Sequence, residues 1–302
     1  MENYDLIIIG SGPAGLAAAI YASRAGLNAA VLEKAGVSGG QVLTTYEVDN
    51  YPGLPGINGF DLGMKFKEHA DKLGAKFIDA SVKEIRPGNP HVVVCDGAEY
   101  EAKGVIIAAG AHHALLEVPG EAQFQGMGVS YCATCDGAFF RGKDVAVAGG
   151  GDVALEDAIF LARICNKVYL IHRRDEFRAN MALQKALGDY PNIELVLSST
   201  VEEICGKDAV ECVKVKSKVS GEVKEIPVSG IFIAVGIVPD SQYFDSVVKC
   251  NEKGYIIAGE DGRTSAPLIY AAGDVRAKAL RQVVTAVADG ANAVTSFQED
   301  ML

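Results

Sequence analysis

The chain has 302 residues, enough for about two domains, and 49% of them are hydrophobic, enough for substantial cores. A net charge of −11 with no basic patch beyond one local cluster argues against nucleic acid and anionic membranes as partners. No apolar run reaches the roughly 18 residues of a spanning helix, no space precedes the first strand for a signal peptide, and seven cysteines without framework spacing fit a reducing cytosol.

Tyr4 to Lys34 reads YDLIIIGSGPAGLAAAIYASRAGLNAAVLEK, an apolar strand, a glycine turn, a helical segment and a second apolar strand. That is a βαβ dinucleotide unit, with Gly10, Ser11, Gly12, Pro13, Ala14 and Gly15 forming its turn. The first glycine permits the tight bend, the second lets backbone approach a pyrophosphate, and the third lets helix and strand pack closely. The phosphates then meet free N–H groups at a helix N-terminus. Glu33 closes the unit, where its carboxylate can accept hydrogen bonds from ribose hydroxyls and would repel a 2′-phosphate. Val105 to Gly110 is a further strand running into a glycine.

Cys132-Ala133-Thr134-Cys135-Asp136 follows. Two thiols one short turn apart can close a small disulfide and reopen it, as thiol–disulfide exchange requires. The same spacing serves zinc, but zinc would want a second pair or histidine partners close by. The remaining Cys95, Cys165, Cys205, Cys212 and Cys250 are scattered and read as small buried apolar residues. Redox chemistry is therefore the favoured reading of the pair. Phe139 and Phe140 read equally as core or as an exposed docking surface, and His112 and His113 carry no assigned role.

Lys143 to Arg173, KDVAVAGGGDVALEDAIFLARICNKVYLIHR, repeats the first unit without a gap at an offset of 139 residues. Gly149 falls on Gly10, Gly151 on Gly12 and Ala154 on Gly15, with Gly150 and Asp152 completing the turn. Two such units in full context predict two dinucleotides. At the position of Glu33 the second unit carries His172, followed by Arg173, Arg174 and Arg178. Guanidiniums there suit the 2′-phosphate of NADPH; the plainer alternative is a solvated basic turn paired with Asp175 and Glu176. Ile231 to Gly236 is another strand-to-glycine ending. Ile269 to Asp274 is a buried strand ending in Gly273-Asp274, an ordinary turn or an acceptor for a ribityl hydroxyl. Leu280 to Gly290 is a helical run that either packs in a core or points its N-terminus at a flavin.

Together these motifs resemble the low-molecular-weight, NADPH-dependent thioredoxin reductases, class II pyridine nucleotide-disulfide oxidoreductases. The resemblance runs the length of the chain, through GSGPAG at Gly10–Gly15, GGQ at Gly39–Gln41, TTYEVDNYPG at Thr44–Gly53, CATCDG at Cys132–Gly137, GGGDVA at Gly149–Ala154, HRRDEFRA at His172–Ala179 and AAGDVRAKALRQV at Ala271–Val283. It implies an α/β fold of two nested Rossmann-like domains of the three-layer ββα type. A discontinuous FAD-binding domain at 1–112 and 246–302 would hold an inserted NADPH-binding domain at 113–245 that carries the dithiol. The implied FAD contacts are the Gly10–Gly15 turn, Glu33, Lys34, Gly40, Gln41, Asn50, Gly273, Asp274, Arg281, Gln282 and Val283. For NADPH they are the Gly149–Ala154 turn, His172, Arg173, Arg174 and Arg178. Cys135 would be the flavin-proximal sulfur, Cys132 the thiol that attacks the partner disulfide, and Asp136 the acid–base group. Electrons would pass from NADPH through FAD and the Cys132–Cys135 pair to oxidised thioredoxin, with rotation of one domain between half-reactions, in a cytoplasmic homodimer. A related disulfide reductase or dithiol oxidase with another thiol acceptor is the rival. The chain departs from the pattern at Ala109, Met127, Ala138 and Val153; Val153 removes a hydroxyl near the pyrophosphate turn, while Met127 and Ala138 bear on partner affinity.

Overall fold

The computed structural model describes residues 2–45 and 47–302, so Tyr46 of the Thr44–Gly53 motif lies outside the described residues. The chain divides into two compact units, one of residues up to His112 together with Val238–Leu302, the other of His113–Ile237.

The first unit opens with β1 (Glu2–Ile9), α1 (Pro13–Arg24), β2 (Ala29–Glu33), α2 (Gly59–Lys72), β3 (Lys76–Asp79), β4 (Val82–Arg86), β5 (His91–Cys95) and β6 (Ala98–Ile107). The strands lie in the order β3-β2-β1-β6-β5-β4, with the first four parallel and the last pairs antiparallel. Alternate residues of β1 enter two different cores. Leu6 and Ile8 pack with the alanines of α1, whereas Ile7 and Ile9 pack with Ile85 and Val93. A strand covered on both faces must be apolar throughout, hence the LIII run.

A short strand β7 (Ala111–His113) leads to the second unit, which holds β8 (Val129–Ser130), α3 (Ala133–Asp136), β9 (Asp144–Gly149), α4 (Asp152–Ala162), β10 (Lys167–Ile171), α5 (Met181–Ala186), β11 (Ile193–Val196), β12 (Ser199–Gly206), β13 (Val210–Ser217), β14 (Val223–Pro227) and β15 (Gly230–Ala234). Five strands form a parallel sheet in the order β11-β10-β9-β15-β8, and β12-β13-β14 form an antiparallel sheet. Val145 and Val147 of β9 face α4, while Ala146 and Ala148 pack with Ile204, Val213 and Val215 of the antiparallel sheet. Each unit is thus three-layered.

The chain then re-enters the first unit through β16 (Ile237–Pro239), β17 (Ile269–Ala271) and α6 (Val283–Asp300). The segment expected to return at 246 groups with the first unit from Val238, and Phe244 is buried in the core that Ile7, Val105 and Ile269 share. Strand β17 lies parallel to β6, pairing Ile269 with Val105 and Ala271 with Ile107. The helix expected from Leu280 begins at Val283 instead. Gln282 is its N-cap, and a capping box with Thr285 stops it extending further back.

Candidate active site

In the first unit Gly10 bends the chain out of β1 at φ +98°, and a Cβ there would lie 2.4 Å from the Ala108 carbonyl oxygen. A Cβ on Gly15 would lie 1.9 Å from the Gly10 oxygen, so helix and turn touch there. Gly12 differs, since its nearest neighbour beyond its own segment is Gly40 Cα at 3.9 Å. The turn therefore offers bare backbone where a phosphate would approach, with Pro13 pre-set at the first helical position. Glu33 is held for use beside it. The Ser11 N–H and hydroxyl donate to Oε2 at 2.8 and 2.6 Å, and the Ala35 N–H donates to Oε1 at 2.8 Å. The Gly39 N–H donates to the Ser11 oxygen, which docks the Gly39–Gln41 segment on the turn. Lys34, Gly40 and Gln41 are exposed around it.

The C-terminal part completes this site. Asn50 Nδ2 donates to Gln282 Oε1 at 2.9 Å, joining residues 232 apart, and Val283 starts α6 immediately behind. Burial raises the Asp274 carboxyl above its ordinary range, with Lys278 and Arg281 opposing. Asp274 Oδ1 and Arg281 Nε are buried without a hydrogen-bond partner, an acceptor and a donor that call for a ligand. The Arg281 guanidinium lies 4.0 Å from the Tyr255 ring centroid. Sequence reasoning missed what fixes this loop. Asp289, buried on α6, accepts from the Gly273 N–H (2.9 Å), from Arg276 (2.9 and 3.3 Å) and from Lys278 (2.9 Å). The available signal was three charges placed among alanines and valines.

In the second unit the three glycines divide the work. A Cβ on Gly149 would lie 2.5 Å from the Ala234 oxygen and 2.6 Å from Ala154 Cβ. On Gly150 it would lie 2.1 Å from His172 Nδ1, and at Gly151 nothing stands within 4 Å. Gly151 is thus the bare position, as Gly12 is in the first turn. Asp152 Oδ1 accepts from the Asn180 N–H at 2.7 Å. His172 is 5% exposed and stacks on Phe177, with Nε2 buried and unpartnered. Burial, with help from Arg178, Arg173 and Arg174, lowers its pKa and keeps it neutral, against a backbone hydrogen bond to Glu176. Arg173, Arg174 and Arg178 are exposed beside it, and the Arg178 N–H donates to the Gly150 oxygen at 2.8 Å, tying the arginine loop to the turn.

Cys132 and Cys135 are joined as a disulfide with Cα atoms 5.3 Å apart. Cys132 caps α3, and its Sγ lies 3.4 Å from Thr134 Oγ1. Buried Ala133 and Gly137 seat this turn on α4, where a Cβ on Gly137 would press on Phe160 and Leu161. The Ser130 hydroxyl donates to Asp136 Oδ2 at 2.6 Å and accepts from the Cys132 N–H at 3.1 Å, so one side chain orients both. Asp136 Oδ1 is buried and unpartnered. Burial raises the Asp136 pKa, and the Ser130 hydrogen bond opposes the rise. Phe140 is buried against Phe232, whereas Phe139 and Met127 are partly exposed. Cys95 and Cys165 are buried as expected; Cys205, Cys212 and Cys250 are not, being half-exposed.

Two open glycine turns, each at the end of a buried parallel strand, together with a closed C-x-x-C pair define an oxidoreductase that handles dinucleotides and a disulfide. The family model described as pyridine nucleotide-disulphide oxidoreductase matches residues 4–290. A thioredoxin reductase of Listeria innocua is 46% identical over 98% of this chain and 93% of its own length. Among solved structures, thioredoxin reductases from Streptococcus pyogenes (43% identity, covering 99% of this chain and 98% of that one) and Giardia duodenalis (34%, covering 100% and 99%) each align with a TM-score of 0.94. The chain belongs to the thioredoxin reductases within the pyridine nucleotide-disulphide oxidoreductase family. None of its helices is long and apolar enough to cross a membrane, among the described residues.

Proposed function

We propose that the protein is an FAD-containing, NADPH-dependent thioredoxin-disulfide reductase, acting in the cytoplasm as a homodimer. The observation that carries this reading is the closed Cys132–Cys135 disulfide followed by a buried carboxyl with one bare oxygen. FAD fits the first unit. Gly12 offers bare backbone, Glu33 is held beside that turn by the Ser11 N–H, and Asp274 Oδ1 and Arg281 Nε lack hydrogen-bond partners. NADPH fits the second, where Gly151 is bare and three exposed arginines follow His172. Bound FAD supplies two-electron transfer between a nicotinamide and a disulfide.

The rest falls to the chain's own side chains. Two electrons open the Cys132–Cys135 bond. Cys132, as thiolate, attacks the thioredoxin disulfide and forms a mixed disulfide; Cys135 then attacks Cys132 Sγ and expels reduced thioredoxin. Asp136 Oδ1 takes and returns the proton, its raised pKa bringing it nearer working pH. The test is spectroscopic titration of the purified yellow protein with NADPH, with and without oxidised thioredoxin. NADPH should bleach the flavin and thioredoxin should restore its colour. Cys135→Ser should keep FAD and lose thioredoxin reduction. A variant that still reduces thioredoxin would remove the pair from the pathway.

A further inference from the structure

We propose that Cys205 and Cys212 form a second redox pair, a cross-strand disulfide that closes in place when a hydroperoxide oxidises the two thiols. The antiparallel register of β12 and β13 sets Cys205 directly opposite Cys212, after Glu203 opposite Lys214 and Ile204 opposite Val213. Directly opposed residues in such a ladder have Cα atoms about 4.5–5.5 Å apart, inside the roughly 4.4–6.8 Å range of natural disulfides. Strand alternation puts both sulfurs on one face. Ile204 and Val213 point into the core at 2% and 0% exposure, so the cysteines on either side of that pair's plane emerge on the outer face.

Both cysteines are half-exposed there, beside the Glu203–Lys214 ion pair (2.8 Å). Burial first, then the Cys212 thiol and Glu203, push the Cys205 thiol up to about 11, with Lys214 opposing. Closure is therefore slow at neutral pH, since the thiolate is the nucleophile.

In the oxidation, one thiolate attacks the terminal oxygen of ROOH. The O–O bond breaks, ROH leaves with the thiol's proton, and a sulfenic acid remains. The second sulfur attacks that sulfenic sulfur and displaces hydroxide, which leaves as water with the second thiol's proton. Two thiols and ROOH become one disulfide, ROH and H₂O; the sulfurs lose two electrons and the peroxide gains them. A dithiol reagent reverses the step by exchange.

The sequence makes the test direct. Lys207 lies between the two cysteines, so trypsin separates Ala186–Lys207 from Asp208–Lys214, whereas Cys132 and Cys135 share the single peptide Gly104–Arg141. Reduced wild-type holoprotein is treated with excess tert-butyl hydroperoxide, alkylated, digested and weighed. The expected product is Ala186–Lys207 joined to Asp208–Lys214, two hydrogens lighter than their sum and released by dithiothreitol. Cys205→Ser should abolish the linked species and leave Cys212 alkylated or over-oxidised. Recovery of both wild-type cysteines fully alkylated, as separate sulfinic acids, or linked to other cysteines would overturn the proposal. The readout needs no turnover, so it stands apart from the thioredoxin assay.

Discussion

Asp136 keeps one carboxylate oxygen on Ser130 and leaves the other bare. Because burial raises its pKa, the native chain holds a proton that the unfolded chain loses near the ordinary carboxyl range. The stability this contributes is complete below that range and is lost as pH rises through the native pKa. Asp136→Asn should therefore raise the melting midpoint relative to wild type more at pH 8 than at pH 5; an equal difference at both would contradict the sign. Ser130→Ala removes the hydrogen bond that favours the ionised form. The acid–base limb of the thioredoxin-reduction profile should move to higher pH, while the NADPH KM stays put. On the same scale, Arg173→Ala with Arg174→Ala should raise the NADPH KM roughly tenfold and spare NADH, since charge-assisted bonds to a 2′-phosphate are lost. Equal losses with both nucleotides would make the arginines structural.

Helices α1 and α6 meet at Gly290, where a Cβ would lie 2.1 Å from the Ala14 oxygen and 2.9 Å from the Ala18 nitrogen. Those atoms are backbone and cannot rotate aside. Gly290→Val should cost about 1–3 kcal/mol by overpacking and weaken FAD retention, because Ala14 belongs to the glycine turn; unchanged melting and flavin content would refute the argument. Both βαβ units were legible from sequence because their signal is local: apolar runs, glycines and a fixed offset. The Asp289–Arg276–Lys278 cluster was not, since charges in a sequence look like surface until the fold buries them together. Facing cysteines were equally hidden. Their register depends on irregularities between Val201 and Glu203 and between Cys205 and Gly206 that no alternation pattern encodes. The first residue of α6 was misread because its stop is a side-chain cap and not a change in hydrophobicity.

At the scale of the molecule, the proposed activity asks one dithiol to meet a flavin and then a protein, and the chain passes between its two units only twice, after His112 and after Ile237. A hinge movement between half-reactions answers that demand. A bifunctional cross-link between the units, verified by mass, should stop turnover and leave FAD bound; full turnover in the verified species would exclude the movement. The residues that make up each proposed site were largely named from motifs, and the chain groups with the first unit again from Val238, against an expected bound of 246. Burial of Phe244, not composition, ties the residues before 246 to that unit.

The pairing of β17 with β6 and the packing of α6 on α1 have a consequence in time as well as space. A ribosome releases His113–Ile237 as one uninterrupted segment, so the second unit can fold while the chain is still being made. The first unit must wait for β17 and α6, which follow the second unit in the chain, before β6 gains its β17 partner. A chain stalled before Ile269 would carry a finished second unit attached to an unfinished first one.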